Sequence, residues 1–174
     1  MVLAVAPVAR AQRSAMSAVS RLYKEYGELM KEQAKDGGDA EISLEPVDEE
    51  NIYEWRASIS GPPGTPYGGG RFELLLQVPE SYPLVPPKAK FTTTVFHANV
   101  HFKTGEICLD ILKKAWTPAF TLQAVCRSIQ NLLSDPDASS PLNCDAGNLL
   151  RSGDRRGFDS MASMYTEMYS KPLA

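Results

Sequence analysis

The 174-residue sequence lacks several features that would assign it to a specialised class of protein. It has 3 cysteines and no CxxC pair, which argues against a disulfide framework and against a zinc knuckle. No apolar run approaches the ~20 residues that a helix needs to cross a bilayer, so direct membrane insertion is not expected. The formal net charge is -3 and no dense basic block occurs, so a nucleic-acid partner is not expected either. These absences favour a folded protein with reduced thiols that reaches any membrane through a partner.

The length and the composition favour one compact domain over two. Hydrophobic residues make up 43% of the chain and charged residues 22%, close to the average for soluble globular proteins. Residues 1–24 contain no acidic side chain, which is compatible with a transit peptide, although a frayed extension is the simpler interpretation. We therefore predict a flexible N-terminal extension at residues 1–14 and a single domain at residues 15–174.

The spacing of the apolar residues changes along the chain and predicts an α+β fold. In "SAVSRLYKEYGELMKEQAKDGG" the spacing is helical, and Gly37 and Gly38 supply a stop. In "YEWRASIS" and "RFELLLQV" apolar and polar residues alternate, as they do in strands with one buried face. With "EISLEPV" before and "KAKFTTT" after, four consecutive strands favour an antiparallel meander. The predicted apolar stripe of the first helix is Val19, Leu22, Tyr23, Tyr26, Leu29 and Met30.

Two further amphipathic helices are predicted after residue 120. Thr121 can cap "LQAVCRSIQNLL" and Asp154 can cap "RRGFDSMASMYTEMYSK". Cys126 lies on the apolar stripe of the first of these helices, so we predict that it fills the core. We also interpret Cys144 as a buried, structural thiol. The predicted core face of the last helix is Phe158, Met161, Tyr165 and Met168.

The stretch "FHANVHFKTGEICLDIL" places Cys108 shortly after His97 and Asn99. Cys108 is either a buried core residue or a nucleophile, since a thioester formed on a thiolate is reactive toward amines and thiols. With His97 as general base the protein would be a cysteine hydrolase; with Asn99 donating to the oxyanion it would be an acyl carrier. Spacing alone leaves these alternatives open. A metal site built from His97, His101 and Cys108 lacks a fourth ligand.

Five motifs in a fixed order make the sequence resemble the ubiquitin-conjugating enzymes (E2s) over roughly residues 15–170. They are "ISGPPGTPYGGGRFEL", "YPLVPPK", "FHANV" followed by "GEICLDIL", "WTPAFTLQAV" and "SPLN". The resemblance implies the ubiquitin-conjugating (UBC) fold: an N-terminal helix, a four-stranded antiparallel meander, a central helix and C-terminal helices. It also implies an enzyme that accepts ubiquitin from the E1 activating enzyme as a thioester and passes it, with a RING-type E3 ligase, to a substrate. It implies no bound cofactor, because the activating enzyme uses the ATP and Mg.

The resemblance also assigns roles to individual residues. Cys108 matches the cysteine that carries ubiquitin, and His97 and Asn99 match the ends of the family's His-Pro-Asn motif. In that motif the histidine is mainly structural, and the asparagine stabilises the oxyanion or orders the active-site loop. The residues that match ligase-binding positions are Leu84, Thr117, Pro118 and Ala119, and those that match the surface for the activating enzyme are Arg21 and Lys24.

Three departures from the family pattern concern the active site. Ala98 stands where the family has proline, and the segment from Asn99 to Cys108 is one residue longer than in many members. Ser140 stands where many members carry an acidic residue that orients and helps to deprotonate the incoming lysine. We hypothesise that serine is tolerated because the acceptor is a thiol, whose reference pKa is about two units below that of lysine. The alternative is a non-catalytic binding module of the same fold, disabled at Ala98.

Within the family, two segments resemble the peroxisomal members, the peroxins that modify import receptors for recycling. They are "HFKTGEICLDIL" and "SDPDASSPLNCDAGNLLRSGD". This resemblance implies action in the cytoplasm, at the cytosolic face of the peroxisomal membrane. The implied partners are a RING peroxin ligase, a membrane-anchored peroxin that tethers the enzyme, and an import receptor as substrate.

Overall fold

The computed structural model describes residues 6–36, 41–48 and 50–172, with residues 6–17, 33, 35 and 36 described by their backbone alone. The elements are α1 (Ala6–Asp36), β1 (Ile42–Asp48), β2 (Asn51–Ser60), β3 (Gly70–Gln77), β4 (Lys88–Phe91), a short 3-10 helix (Asp110–Leu112), α2 (Leu122–Ser134), α3 (Cys144–Arg151), α4 (Arg155–Tyr169) and β5 (Lys171–Pro172). Helix α2 packs against β1 and β2, α1 packs against β2, and α3 packs against α4. The predicted α+β class and the order of its elements are confirmed.

The start of α1 bears on the predicted N-terminal extension. The helix begins at Ala6, so residues 6–14 of that extension are helical, and residues 1–5 lie outside the described part of the chain. The predicted stop at Gly37 and Gly38 also lies outside the described residues, and the helix ends at Asp36. The flexibility of the extension stays a prediction.

The sheet is the predicted antiparallel meander, with strand order β1-β2-β3-β4. Trp55 of β2 lies opposite Leu76 of β3, and Leu74 lies opposite Phe91 of β4. These four side chains are all buried, because alternate residues of each strand face the helices. The sequence analysis missed β5, whose two residues pair with Gly70 and Arg71 of β3. Such a short strand has no alternating pattern of its own.

Helix α1 buries a narrower stripe than its spacing predicts. Leu22 and Leu29 are buried, whereas Tyr23 is 54% exposed and Met30 is 40% exposed, so the prediction is wrong for these two. The buried stripe instead includes Glu25, three positions after Leu22 and only 5% exposed. A helix that packs on one side only buries a narrow stripe of positions i, i+3 and i+7, and Tyr23 and Met30 lie outside this stripe.

The predicted caps of α2 and α4 are confirmed. The Thr121 hydroxyl accepts a hydrogen bond from the Ala124 N–H at 3.1 Å, and the Asp154 carboxylate accepts one from the Gly157 N–H at 2.9 Å. Cys126 is buried as predicted, and burial raises the pKa of its thiol to about 12. On α4, Phe158 is buried and Met161 and Tyr165 pack against the core. Met168, by contrast, is 61% exposed in the last turn of α4, so its predicted core position is wrong.

Candidate active site

The chain makes a tight turn at Gly105, three residues before Cys108. The Gly105 N–H donates to the His101 carbonyl at 2.9 Å, and Gly105 has a φ of +72°, in the left-handed region. Its carbonyl accepts a hydrogen bond from the Phe91 N–H at 2.9 Å. A Cβ at position 105 would lie 2.0 Å from the Phe91 carbonyl oxygen. The turn therefore requires glycine both for its φ and for its close approach to β4.

The chain that follows the turn brings Cys108 beside Asn99. Val100 and Ile107 form an isolated antiparallel bridge, and the Cys108 N–H donates to the Asn99 carbonyl at 2.9 Å. In the segment "EICLDIL", Glu106 and Ile107 form isolated β-bridges rather than a continuous strand. The last three residues form the 3-10 helix Asp110–Leu112. The turn thus explains how two residues that are separated in sequence share one site.

The Cys108 thiol is half-buried in an open cleft rather than packed in the core. The Lys113 ammonium donates to the Cys108 sulfur with an Nζ–Sγ distance of 3.2 Å. The cleft has a volume of about 510 Å³. Its lining consists of Asn99, Cys108, Leu109, Asp110, Lys113, Lys114, Leu132, Asp137 and Ser140. The core interpretation of Cys108 is therefore wrong. Lys113 was missed by the sequence analysis, although a cation in the turn after the cysteine was a visible signal.

His97 lies below this cleft with no exposed surface. Its Nδ1 accepts a hydrogen bond from the Asn99 N–H at 3.0 Å, and its Nε2 lies 3.0 Å from the Leu132 carbonyl oxygen. Because a carbonyl only accepts, Nε2 carries the proton and the ring is neutral. Burial lowers the pKa of His97 to about 4. Both ring nitrogens are engaged, so His97 cannot take the Cys108 proton and the hydrolase interpretation is wrong.

The Asn99 side chain joins the floor of the cleft to the loop at residues 135–141. Its Nδ2 donates to the Asp137 carbonyl and its Oδ1 accepts from the Asp137 N–H, each at 2.8 Å. Asn99 is 3% exposed, so both bonds are shielded from water. We call His97, Asn99 and Asp137 the active-site clasp. This geometry supports the loop-ordering role; the oxyanion role stays a prediction and would use the second hydrogen of the amide.

Ala98, which stands in place of the family proline, anchors the end of the loop at residues 135–141. Ala98 is fully buried, and its carbonyl accepts hydrogen bonds from the Leu142 N–H at 2.8 Å and the Asn143 N–H at 3.1 Å. The Asn143 side chain in turn caps α3. The loop is therefore held at Asp137 and again just after its end, at Leu142 and Asn143, without a proline at position 98.

The predicted ligase-binding residues lie on two loops that the structure brings together. Trp116 Nε1 donates to the Pro83 carbonyl at 2.8 Å, which fixes the loop of Leu84 against the loop that contains residues 117–119. Leu84 is 73% exposed, the largest exposure among the large hydrophobic residues that the structure describes. Thr117, Pro118 and Ala119 are exposed as well. The two loops form one accessible surface, and ligase binding there stays a prediction.

A buried polar cluster supports this surface from below. The Glu25 carboxylate accepts hydrogen bonds from the Tyr82 hydroxyl at 2.7 Å, from the Leu122 N–H at 2.9 Å and from Arg21 Nε. The Arg21 guanidinium also donates to the Phe120 carbonyl at 3.3 Å. We call Arg21, Glu25, Tyr82 and the Leu122 N–H the ligase-side cluster. The sequence analysis missed Glu25, which the helical spacing from Leu22 could have indicated.

The two residues predicted to bind the activating enzyme differ in accessibility. Lys24 is 73% exposed in its side chain and pairs with Glu28 at 3.9 Å. Arg21 is 29% exposed and is held within the ligase-side cluster by Glu25 and the Phe120 carbonyl. Lys24 is therefore the more available of the two for a partner. Binding of the activating enzyme by either residue stays a prediction.

Cys144 is exposed at the first position of α3, so its interpretation as a buried thiol is wrong. Cys144 and Asp145 form the exposed side of the first turn of α3, whereas Ala146 and Gly147 form its buried side. Within the described ranges no group of three or more His, Cys, Asp and Glu residues is arranged to hold a metal ion. Nor is any helix among the described residues long and apolar enough to cross a membrane.

Sequence comparisons agree with this geometry. The family described as "Ubiquitin-conjugating enzyme" matches residues 21–166. The chain is 58% identical over 153 residues to Protein PEROXIN-4 of Arabidopsis thaliana, covering 88% of this chain and 95% of that protein. It is also 58% identical over 150 residues to the ubiquitin-conjugating enzyme E2 pex4 of Dictyostelium discoideum, covering 86% of this chain and 97% of that protein.

A solved structure gives the same result. The ubiquitin-conjugating enzyme Pex4p of H. polymorpha, determined in complex with the soluble domain of Pex22p, superposes with a TM-score of 0.84. It is 36% identical, and the match covers 88% of this chain and 98% of that chain. The family match, these relatives and the UBC fold show that the chain belongs to the ubiquitin-conjugating enzymes, the E2 family.

Proposed function

We propose that Cys108 accepts the C-terminus of ubiquitin from the activating enzyme as a thioester and then passes it on. The main support is the environment of the thiol, which is half-buried in an open cleft with the Lys113 ammonium 3.2 Å from its sulfur. His97 has both ring nitrogens bonded and a pKa of about 4. The site therefore favours storage of an acyl group, because His97 is not free to activate a water molecule against the thioester.

Transfer to a substrate follows from the same geometry. The acceptor loses its proton to water and attacks the thioester carbonyl carbon to give a tetrahedral oxyanion, whose collapse breaks the carbon–sulfur bond. The departing Cys108 thiolate is stabilised by the adjacent Lys113 ammonium. Asn99 holds the loop over the cleft and retains one amide hydrogen for the oxyanion. A RING-type ligase binds the surface formed by Leu84 and residues 117–119, and the enzyme itself needs no bound cofactor.

The peroxisomal assignment is supported by the relatives. Two of them carry the names PEROXIN-4 and pex4, and the solved Pex4p structure contains the soluble domain of Pex22p. We infer that this chain also binds a membrane-anchored peroxin, which holds it at the cytosolic face of the peroxisomal membrane. There it works with RING peroxin ligases, and its substrate is a protein import receptor.

Thioester formation is the first test. The chain is mixed with ubiquitin, activating enzyme and Mg-ATP, and the products are separated on a gel without reducing agent. We expect an adduct that dithiothreitol removes, that Cys108→Ala abolishes and that Cys144→Ala retains. Cys144 is the matched control because its thiol is also accessible. A folded wild-type chain that forms no adduct would instead be a non-catalytic binding module of the same fold.

The peroxisomal role is tested separately, in cells. We expect the chain to sediment with peroxisomes and to become soluble when the membrane-anchored peroxin is deleted. In the same deletion strain, unmodified import receptor should accumulate at the membrane. A distribution that does not change on deletion would contradict the tether while leaving the thioester chemistry of Cys108 intact.

A further inference from the structure

The Cys108 cleft is lined by charged groups on two facing segments. Asp110, Lys113 and Lys114 lie on the segment that follows Cys108, and Asp137 and Ser140 lie on the opposing loop. An incoming lysine carries a positive charge, so the ammonium groups of the first segment repel it. Asp110 is the carboxylate on that segment, and Asp137 is the carboxylate that the opposing loop adds to the cleft.

The position of Asp137 is fixed at several points. Asn99 bonds both its N–H and its carbonyl at 2.8 Å. Its carboxylate accepts hydrogen bonds from the Ser139 N–H at 2.7 Å and from the Ser139 hydroxyl at 2.9 Å. A side chain that is already ordered loses little conformational entropy when it binds a cation.

We propose that Asp137 is the carboxylate that draws the lysine acceptor into the Cys108 cleft, in place of the acidic residue that many E2s carry at the position of Ser140. This inference rests on the proposed function of Cys108 as a ubiquitin carrier. It also makes lysine an acceptor that the cleft favours, in contrast to the thiol hypothesis based on Ser140 alone.

The role of Asp137 is attraction and orientation rather than proton removal. The hydrogen bonds from Ser139 lower the pKa of the Asp137 carboxyl, so it stays ionised at neutral pH and is a weak base. The lysine ammonium binds the carboxylate and gives up its proton to water. The amine then attacks the thioester carbonyl carbon, the C–N bond forms, and the C–S bond breaks to release the Cys108 thiolate.

The test compares two nucleophiles in a single-turnover discharge of the Cys108–ubiquitin thioester. Free lysine is a cation at neutral pH, and hydroxylamine is uncharged there. Asp137→Asn removes the charge but keeps an oxygen that can accept from the Ser139 N–H, and the Asn99 bonds go to the backbone. Asp135→Asn is the matched control: it makes the same charge change at the end of α2, outside the cleft lining.

We expect Asp137→Asn to raise the lysine concentration for half-maximal discharge by up to about fivefold, the upper limit for the loss of an exposed charge pair. The maximal rate and the hydroxylamine reaction should be unchanged. Asp135→Asn should match the wild type with both nucleophiles, and Asp137→Glu should restore part of the affinity for lysine.

Three results would overturn the proposal. Equal losses with lysine and hydroxylamine would mean that Asp137 only shapes the loop. A lower maximal rate with a shifted pH profile would make it a general base, and no change with lysine would leave it without a role in acceptor binding. If the wild-type chain forms no thioester at all, the proposed function fails first, and that failure is seen before any nucleophile is added.

Discussion

The ligase-side cluster and the active-site clasp both use one side chain to hold a distant backbone segment, but they differ in charge. In the cluster, the Glu25 carboxylate is 5% exposed, has Arg21 as its counter-ion and holds the first N–H of α2. In the clasp, a neutral imidazole and a neutral amide hold the loop at Asp137. A buried charge is therefore used away from the thiol, and neutral groups are used directly below it.

The difference is expected if Cys108 carries a thioester, as proposed. A basic group with a free lone pair beside the thioester would activate water and hydrolyse it. Both ring nitrogens of His97 and the amide oxygen of Asn99 are engaged in hydrogen bonds. These side chains therefore hold the loop in position without acting as a base. The ligase-side cluster lies under the surface that we predict to bind a ligase, where rigidity matters and an ion pair causes no side reaction.

The largest expected effect comes from breaking the charged cluster. Glu25→Ala leaves the Arg21 guanidinium, the Tyr82 hydroxyl and the Leu122 N–H without their acceptor, so we expect the free energy of unfolding to fall by about 3–5 kcal/mol. Urea denaturation measures this. Glu28→Ala is the control on the same helix: its pair with Lys24 is exposed, and its loss should cost less than about 1 kcal/mol. Equal losses in the two variants would contradict a supporting role for Glu25.

The next effect comes from the buried imidazole of the clasp, His97. The pKa of His97 is about 4 in the folded state, below the ordinary value of 6.5, so the unfolded chain binds a proton first as the pH falls. The stabilising contribution of neutral His97 is complete above pH 6.5 and is lost progressively toward pH 4, by about 3 kcal/mol in total. Denaturation at several pH values measures this slope. His97→Asn should flatten it, and an unchanged slope in that variant would assign the acid sensitivity to other groups.

A smaller effect is expected from opening the clasp at its amide. Asn99→Ala removes both bonds to the Asp137 backbone, which should cost about 2 kcal/mol and speed hydrogen exchange at the Asp137 N–H. Mass spectrometry of exchange in the loop at residues 135–141 checks this. Asn148→Ala, at an exposed asparagine of α3, is the control and should leave the loop unchanged. A loop that exchanges at the wild-type rate in Asn99→Ala would show that the bonds from Ala98 suffice.

The smallest effect is expected at Ser140. Because Asp137 already supplies a carboxylate to the cleft, Ser140→Asp should change the rate of discharge to free lysine by less than about twofold, the effect of a weak exposed charge pair. The discharge assay described for Asp137 measures it directly. A large acceleration would favour the earlier hypothesis that serine is present because the acceptor is a thiol.

Features that depend on neighbouring residues were predicted well from the sequence. The alternation in β2 and β3 and the caps Thr121 and Asp154 are local, and the structure confirms them. Tyr23 and Met168 were placed in the core wrongly, because periodicity defines the face of a helix but not how much of it a neighbour covers.

The structure brings the predicted site residues together, but the sequence did not predict their contacts. Cys108, His97 and Asn99 follow from spacing and family resemblance, whereas the partner of the Asn99 side chain lies 38 positions away, at Asp137. The Glu25 carboxylate meets the Leu122 N–H across 97 positions. Such pairs exist only once the chain has folded, so no local pattern contains them.

The turn at Gly105 has a consequence for genetic screens. Any other residue there must adopt an unfavourable φ and place a Cβ 2.0 Å from the Phe91 carbonyl oxygen. In a pooled library that scores survival, every non-glycine codon at position 105 should be depleted, as should every replacement of the cysteine codon at position 108. A scan read by fitness alone would therefore count Gly105 among the chemical groups of the enzyme, although it contributes only the path of the chain.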